Sequence, residues 1–224
     1  MIQSTGSIST IAEALDIVKG LSAPSKLPCY SYNIPAVECH TGSKLRSIPG
    51  SVCSDCYAMK GFYRKYKSTV APSQRRRFKA IHETRWIEAM TYLVTARKMP
   101  FFRWFDSGDL QSVQHLSNIV EVAINCPDCK FWLPTREYVI VSSFLSLGSP
   151  KHRKHGKLPS NLILRLSAHM IDGKAPTGLA KRLGVRTSTV VTHGASCPAS
   201  RQGNKCLECR ACWEDVENIS YKHH

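Results

Sequence analysis

Ten cysteines in 224 residues are the side chains of this chain best suited to chemistry. Near the C-terminus, Cys197, Cys206, Cys209 and Cys212 form a C-x8-C-x2-C-x2-C pattern. Two-residue spacers let successive thiolates converge on one centre through a tight turn. Three cysteines at consecutive x2 spacing are the run used in bacterial-type iron–sulfur ligation, so this group points to a [4Fe–4S] cluster. Zinc is the competing metal, because four-thiolate zinc sites use paired C-x2-C.

A second group lies earlier. Cys53 and Cys56 form another C-x2-C pair, with Cys39 as a third ligand and Cys29 as a candidate fourth. Three ligands leave a bound metal or cluster one open position, whereas four close it. A redox pair is the alternative chemistry, but such pairs open a helix in a thioredoxin-like unit, which the flanking residues do not suggest. Cys126 and Cys129 either complete the second site or are plain thiols, and the second reading is preferred. Neither a Gly-rich phosphate loop nor a nucleophile elbow is present.

These groups need a scaffold, and hydrophobic periodicity supplies one. Residues 1–21 read as an amphipathic helix with Ile11, Leu15 and Val18 on one face. Residues 22–60 form a Cys-rich loop region. A helix follows, with Ile81, Trp86, Ile87, Met90, Leu93 and Val94 on its buried side. Residues 101–193 then alternate. FFRWF, KFWLPTRE, NLILRLSAH and STVVTH read as strands, separated by helices over 111–124, 137–147 and 177–183. Residues 194–224 form the C-terminal cysteine segment. Strand–helix alternation predicts an α/β single domain, a partial or open βα barrel of parallel strands with cysteine-rich N- and C-terminal loops.

Polar residues gather where each strand ends: Asp106 and Asp109, Thr135 and Arg136, Ser167 and His169, Thr192 and His193. Active sites of parallel α/β folds form at that edge. Asp106, Asp109, Arg136, Ser167 and His169 are therefore the candidate substrate-binding residues.

Composition narrows the setting. Hydrophobic residues make up 42% and charged residues 21% of the chain, which excludes collagen, coiled coil and wholesale disorder. The sequence has no signal peptide and no stretch long enough to span a membrane, so a cytoplasmic protein with reduced thiols is expected. The formal net charge of +15 is densest at Arg75-Arg76-Arg77 and over 151–157. It suits either a solvated surface or docking on nucleic acid or another polyanionic partner.

Several segments are similar to a known family: TGSKL, PGSVCSDCYAMKGFY, FRWFDSGDLQS, FWLPTREY, NLILRLSAHMID and CPASRQGNKCLECRACWEDVENISYKHH. Together, over roughly residues 30–224, they resemble the phage "gene product 88" family. Phe105 stands where that resemblance implies a histidine. More distantly, the chain resembles a shortened radical-SAM enzyme, a partial barrel with three cysteines after its first strand. Cys39, Cys53 and Cys56 match those three. Tyr57, however, follows the last cysteine where the pattern has an aromatic before it, and the thirteen residues between Cys39 and Cys53 exceed the usual three. The resemblance implies one or two clusters, S-adenosylmethionine as a ligand, and a place in the host-cell cytoplasm. It likens the C-terminal cysteines to ligands of an auxiliary cluster. The alternative is a non-catalytic module, stapled by iron–sulfur or zinc, that binds nucleic acid or a host protein.

Overall fold

The computed structural model describes residues 6–60, 63, 65–146 and 158–223. Six strands form one parallel sheet in sequential order: β1 (Tyr30–Tyr32), β2 (Phe101–Trp104), β3 (Lys130–Thr135), β4 (Leu162–Ile171), β5 (Arg186–Val191) and β6 (Asn218–Lys222). Each strand pairs with the next, and β1 and β6 remain edges, so the sheet is open. The expected α/β architecture and parallel strands are present. Parallel order places every strand's C-terminal end on one edge.

Strand alternation divides the sheet into two unlike faces. One carries Tyr32, Phe102, Trp104, Phe131, Leu133, Leu162, Leu164 and Leu166, all buried under helices. Those helices are α1 (Ile11–Val18), α3 (Lys67–Ala80), α4 (Trp86–Ala96), α5 (Val113–Asn125), α6 (Tyr138–Ser146) and α7 (Thr177–Leu183), while the short α2 (His40–Leu45) follows β1. Trp104 stacks on Phe131 at 6.2 Å and meets Phe102 at 4.9 Å. Burying each such side chain contributes about 1.5–3 kcal/mol.

The opposite face carries Arg103, Trp132, Arg165, Ile219 and Tyr221 in register. Here the cover is the C-terminal cysteine segment. Trp213 packs against Phe101 and Trp132, and its indole N–H donates to the Phe102 carbonyl at 2.9 Å. Arg165 is fully buried and donates to the carbonyls of Thr187, Ala211, Cys212, Glu214 and Val216. One cation thus ties β5 to the C-terminal turn and supplements the backbone bonds Glu214 N–H to Ala211 and Val216 N–H to Glu214 that the turn makes itself.

Four elements differ from the periodicity reading. β1 and β6 lie in segments read as Cys-rich loops. Helix α3 precedes the predicted 81–94 stretch, and its buried side is Gln74, Arg77 and Ala80, which leaves no apolar stripe. In α1, Val18 is buried and Leu15 packs on the core, but Ile11 is exposed and Ala14 takes its place. No helix among the described residues is long and apolar enough to cross a membrane.

Candidate metal centre at the sheet edge

The first cysteine group follows β1 directly. The chain leaves Tyr32, turns through Asn33 to Cys39, forms α2, and returns through the turns that hold Cys53 and Cys56. Gly42 shows how close these thiols come. A Cβ added there would lie 3.0 Å from Cys39 Cβ, 3.5 Å from Cys53 Sγ and 3.7 Å from Cys39 Sγ. Both sulfurs therefore border one small space kept open by the missing side chain. Cys56 acts electrostatically on both Cys39 and Cys53. Burial pushes the Cys39 and Cys53 thiols up and keeps them neutral, while the Arg136 and Arg46 guanidiniums pull Cys53 down. A bound cation would reverse that balance, since metal ligation requires thiolate.

No three His, Cys, Asp or Glu side chains among the described residues converge closely enough to hold a metal ion as they stand. The thiols are gathered on turns rather than closed into a ligand cage. Their chemistry and the space over Gly42 nevertheless fit a thiophilic group, and Cys39, Cys53 and Cys56 are the residues that could hold it.

Two carboxylates brace this edge. Glu137 Oε1 accepts from the Thr41 N–H at 2.8 Å and Oε2 from the Thr41 hydroxyl at 2.7 Å, fixing the start of α2 to the end of β3. Asp109 is buried, and it accepts from the Leu110 N–H (2.8 Å), the Thr135 hydroxyl (2.6 Å) and the Arg136 N–H (2.9 Å). Burial pushes its pKa up to about 6, against the pull of those donors. Its oxygens are occupied by the fold, so Asp109 supports the site rather than facing a ligand.

Asp106 pairs with Arg103 (Nη1–Oδ1, 3.2 Å), accepts from the Tyr63 hydroxyl at 2.9 Å, and takes the Tyr57 hydroxyl on its carbonyl. Arg103 lies over the Trp132 ring at 4.4 Å. Arg136 donates from Nε to the Ala168 carbonyl at 3.2 Å, which fixes it beside Cys53. The Ser167 hydroxyl pairs with that of Ser188 at 2.9 Å. His169 stacks on Tyr138 at 4.5 Å, and its buried Nε2 has no partner. Burial lowers its pKa. Arg136, Ser167 and His169 thus offer polar groups at the edge, while Asp106 and Asp109 are held by the protein. Sequence reasoning missed Glu137 and Ser188. Glu137 directly follows Arg136, whereas Ser188 opens the STVVTH run and meets Ser167 only through the β4–β5 register.

The C-terminal thiols gather elsewhere, over the face opposite the helices. Cys206 is influenced by Cys197 and Cys209, and Cys212 by Cys197. Cys29 packs beside this group, with Cys197, against the cluster of Trp132, Cys212, Trp213 and Ile219, and it also acts electrostatically on Cys129. Cys126 and Cys129 are buried in the helix-side core, where the Asn161 side chain donates to the carbonyls of both. Phe105 has a left-handed backbone (φ 55°) and turns its ring into the core against His115 at 5.6 Å. In the densest described basic run, Arg77 is buried and donates to Gly20 and Ser22. The basic run over 151–157 lies outside the described residues.

Comparison with known proteins finds one family, described as Gene product 88, which matches residues 8–215. No curated protein and no protein of known structure gives a significant match.

Proposed function

The chain belongs to the gene product 88 family, and we propose that it is an iron–sulfur protein with two thiolate centres, the first of them open to a ligand. The observation that carries this reading is the loop after β1, which brings the Cys39 and Cys53 sulfurs to one space beside the C-terminal edge of the parallel sheet. In our reading Cys39, Cys53 and Cys56 hold a cluster there, and the C-terminal cysteines hold a [4Fe–4S] cluster. The sequential, open, all-parallel sheet with cysteines after its first strand supports a distant likeness to radical-SAM enzymes, and hence S-adenosylmethionine as the ligand of the open iron. When bound, such a cluster supplies an open iron position and a source of single electrons.

The chain's own residues have simpler tasks. Arg136, fixed by Ala168, presents a cation to an anionic group of the bound molecule. His169 Nε2 and the Ser167–Ser188 hydroxyl pair supply hydrogen-bonding positions along the same edge. Glu137 and Asp109 keep the cysteine loop and the end of β3 in place.

Anaerobic purification followed by iron and acid-labile sulfide analysis tests this reading. Iron with matching sulfide supports it, and colourless protein with stoichiometric zinc and no sulfide refutes it. The competing reading is a non-catalytic module that uses its +15 charge to dock on nucleic acid or a host protein. The inward turn of Arg77 removes one cation from the surface such docking would use. Salt-dependent DNA or RNA binding without any response to S-adenosylmethionine would favour that module.

A further inference from the structure

We infer that helix α3 and the turn leading into it form a docking surface for single-stranded nucleic acid beside the first cysteine group, and that nucleic acid is the class of molecule this edge of the sheet receives. The second half rests on the proposed open first centre, whereas the docking surface stands without it.

The sequence supplies the charge. Residues 56–82 contain eight lysines and arginines and no aspartate or glutamate. Among the described residues of this run, only Lys60 and Arg75 pair with carboxylates, those of Asp55 and Glu38. Arg77 turns inward, but Lys67, Arg75, Arg76 and Lys79 stay exposed on α3. Arg75 and Lys79 stand one turn apart, where like charges destabilise a helix. A polyanion would remove that repulsion. From Lys67 to Lys79 the helix rises about 18 Å, enough to meet several phosphates of one strand.

Aromatic rings lie in the same stretch. Tyr57 is 51% exposed and Tyr66 47%. The Tyr57 hydroxyl is held by the Asp106 carbonyl, which fixes its ring, and the Lys65 ammonium lies 5.6 Å from the Tyr66 ring centre. Cations interleaved with exposed rings suit a single strand, whose bases are free to stack. A duplex hides those base faces, and an acidic polypeptide has none. An anionic membrane would need an apolar stripe on the helix, which α3 lacks.

The surface adjoins the cysteines. Arg75 reaches Glu38, the residue before Cys39, at 3.7 Å. On the other side of the loop, the chain passes from Cys56 through Tyr57 toward α3. A strand lying along α3 therefore passes the loop that carries Cys39, Cys53 and Cys56.

Fluorescence anisotropy of the full chain tests the inference, with a labelled RNA strand of about 20 nucleotides, longer than one typical single-strand site, and with DNA of the same sequence. Four cations on phosphates give a salt slope of about −2.8, so affinity should fall about 50-fold between about 50 and 200 mM salt. Arg76→Ala combined with Lys79→Ala should reduce that slope by about half. Tyr66→Ala should weaken binding about 5-fold or more through lost stacking. Lys181→Ala combined with Arg182→Ala removes the same charge from the end of α7, between β4 and β5, and should change neither slope nor affinity. Equal losses in the two double variants would show attraction by net charge alone and overturn the located surface. Polyglutamate, or a duplex of the same sequence, competing as well as the single strand would overturn it too. Thiol alkylation read by mass spectrometry checks the placement. Bound strand should slow labelling of the half-buried Cys56, and equal labelling with and without it contradicts the placement. Strand binding by a chain that takes up no iron or sulfide leaves the surface standing and removes the proposed function. A cluster-loaded chain that binds no strand at low salt overturns the surface alone.

Discussion

Glu137 grips Thr41 with both carboxylate oxygens, one on the backbone N–H at 2.8 Å and one on the hydroxyl at 2.7 Å. That pair joins the end of β3 to the helix that follows Cys39. The cysteine loop is therefore positioned by the sheet edge and not only by its own turns. Glu137→Ala would strand two donors in a partly buried place, at a cost of about 1–3 kcal/mol. The expected result is a lower denaturant midpoint and weaker metal retention at the first centre, with the C-terminal centre unaffected. Metal release measured against a chelator in parallel with unfolding checks it.

Arg165 has the matching role on the other face. Arg165→Leu would leave the carbonyls of Thr187, Ala211, Cys212, Glu214 and Val216 without its guanidinium as donor. A loss of about 1–3 kcal/mol is expected, because the Cys212 and Val216 carbonyls lose the donor that Arg165 supplies, while Ala211 and Glu214 keep backbone donors of their own. Thermal unfolding should show it, and metal loss should begin at the C-terminal centre.

Gly108 lies in the loop after β2 with φ 84°, and a Cβ there would run into Ile34 Cγ1 and come within 2.7 Å of the Ile34 carbonyl oxygen. Ile34 cannot give way, because its N–H and carbonyl are bonded to Ser107 at 3.2 Å and 3.1 Å. Gly108→Ala should destabilise by about 2–4 kcal/mol, combining left-handed strain with overpacking. Denaturant titration of the variant measures it, and an unchanged midpoint would contradict the contact.

His115 makes acid stability predictable. Its ring is buried against Trp86 and Phe105, both ring nitrogens lack partners, and burial pushes its pKa down to about 3. The folded pKa lies below the unfolded one, so the unfolded chain takes up the proton first. The stability from keeping this ring neutral is intact above about pH 6.5 and is lost as pH falls toward 3. His115→Leu should flatten that part of the fall in melting temperature while changing little at pH 7.5. Identical acid profiles for the two proteins would show that the ring is not the cause.

The legible parts of this chain are those with apolar rhythm. β2 to β5 and the helices between them follow from alternation and from the Leu116, Ile119, Val120 and Ala123 stripe of α5. β1 hides because Tyr30-Ser31-Tyr32 is only three residues long amid cysteines and prolines, and β6 because it lies in the cysteine tail. Helix α3 hides because its buried Arg77 is satisfied by Gly20 and Ser22, partners that exist only after folding. The site divides in the same way. Spacing groups Cys39 with Cys53 and Cys56, but it cannot see Cys29, which reaches the C-terminal thiols only through the packing of β1, β2 and the tail. Nor can it see that Asp109 spends its oxygens on Leu110, Thr135 and Arg136, because hydrogen bonds to backbone leave no mark in composition.

Electron paramagnetic resonance of the anaerobically prepared, dithionite-reduced full chain, with and without S-adenosylmethionine, tests the central claim most directly. Signals from two reduced clusters are expected. One should be altered by S-adenosylmethionine and abolished by Cys53→Ser, and the other should be insensitive to the ligand and abolished by Cys206→Ser. A silent, colourless protein carrying zinc, or cluster signals that S-adenosylmethionine leaves unchanged, would contradict it.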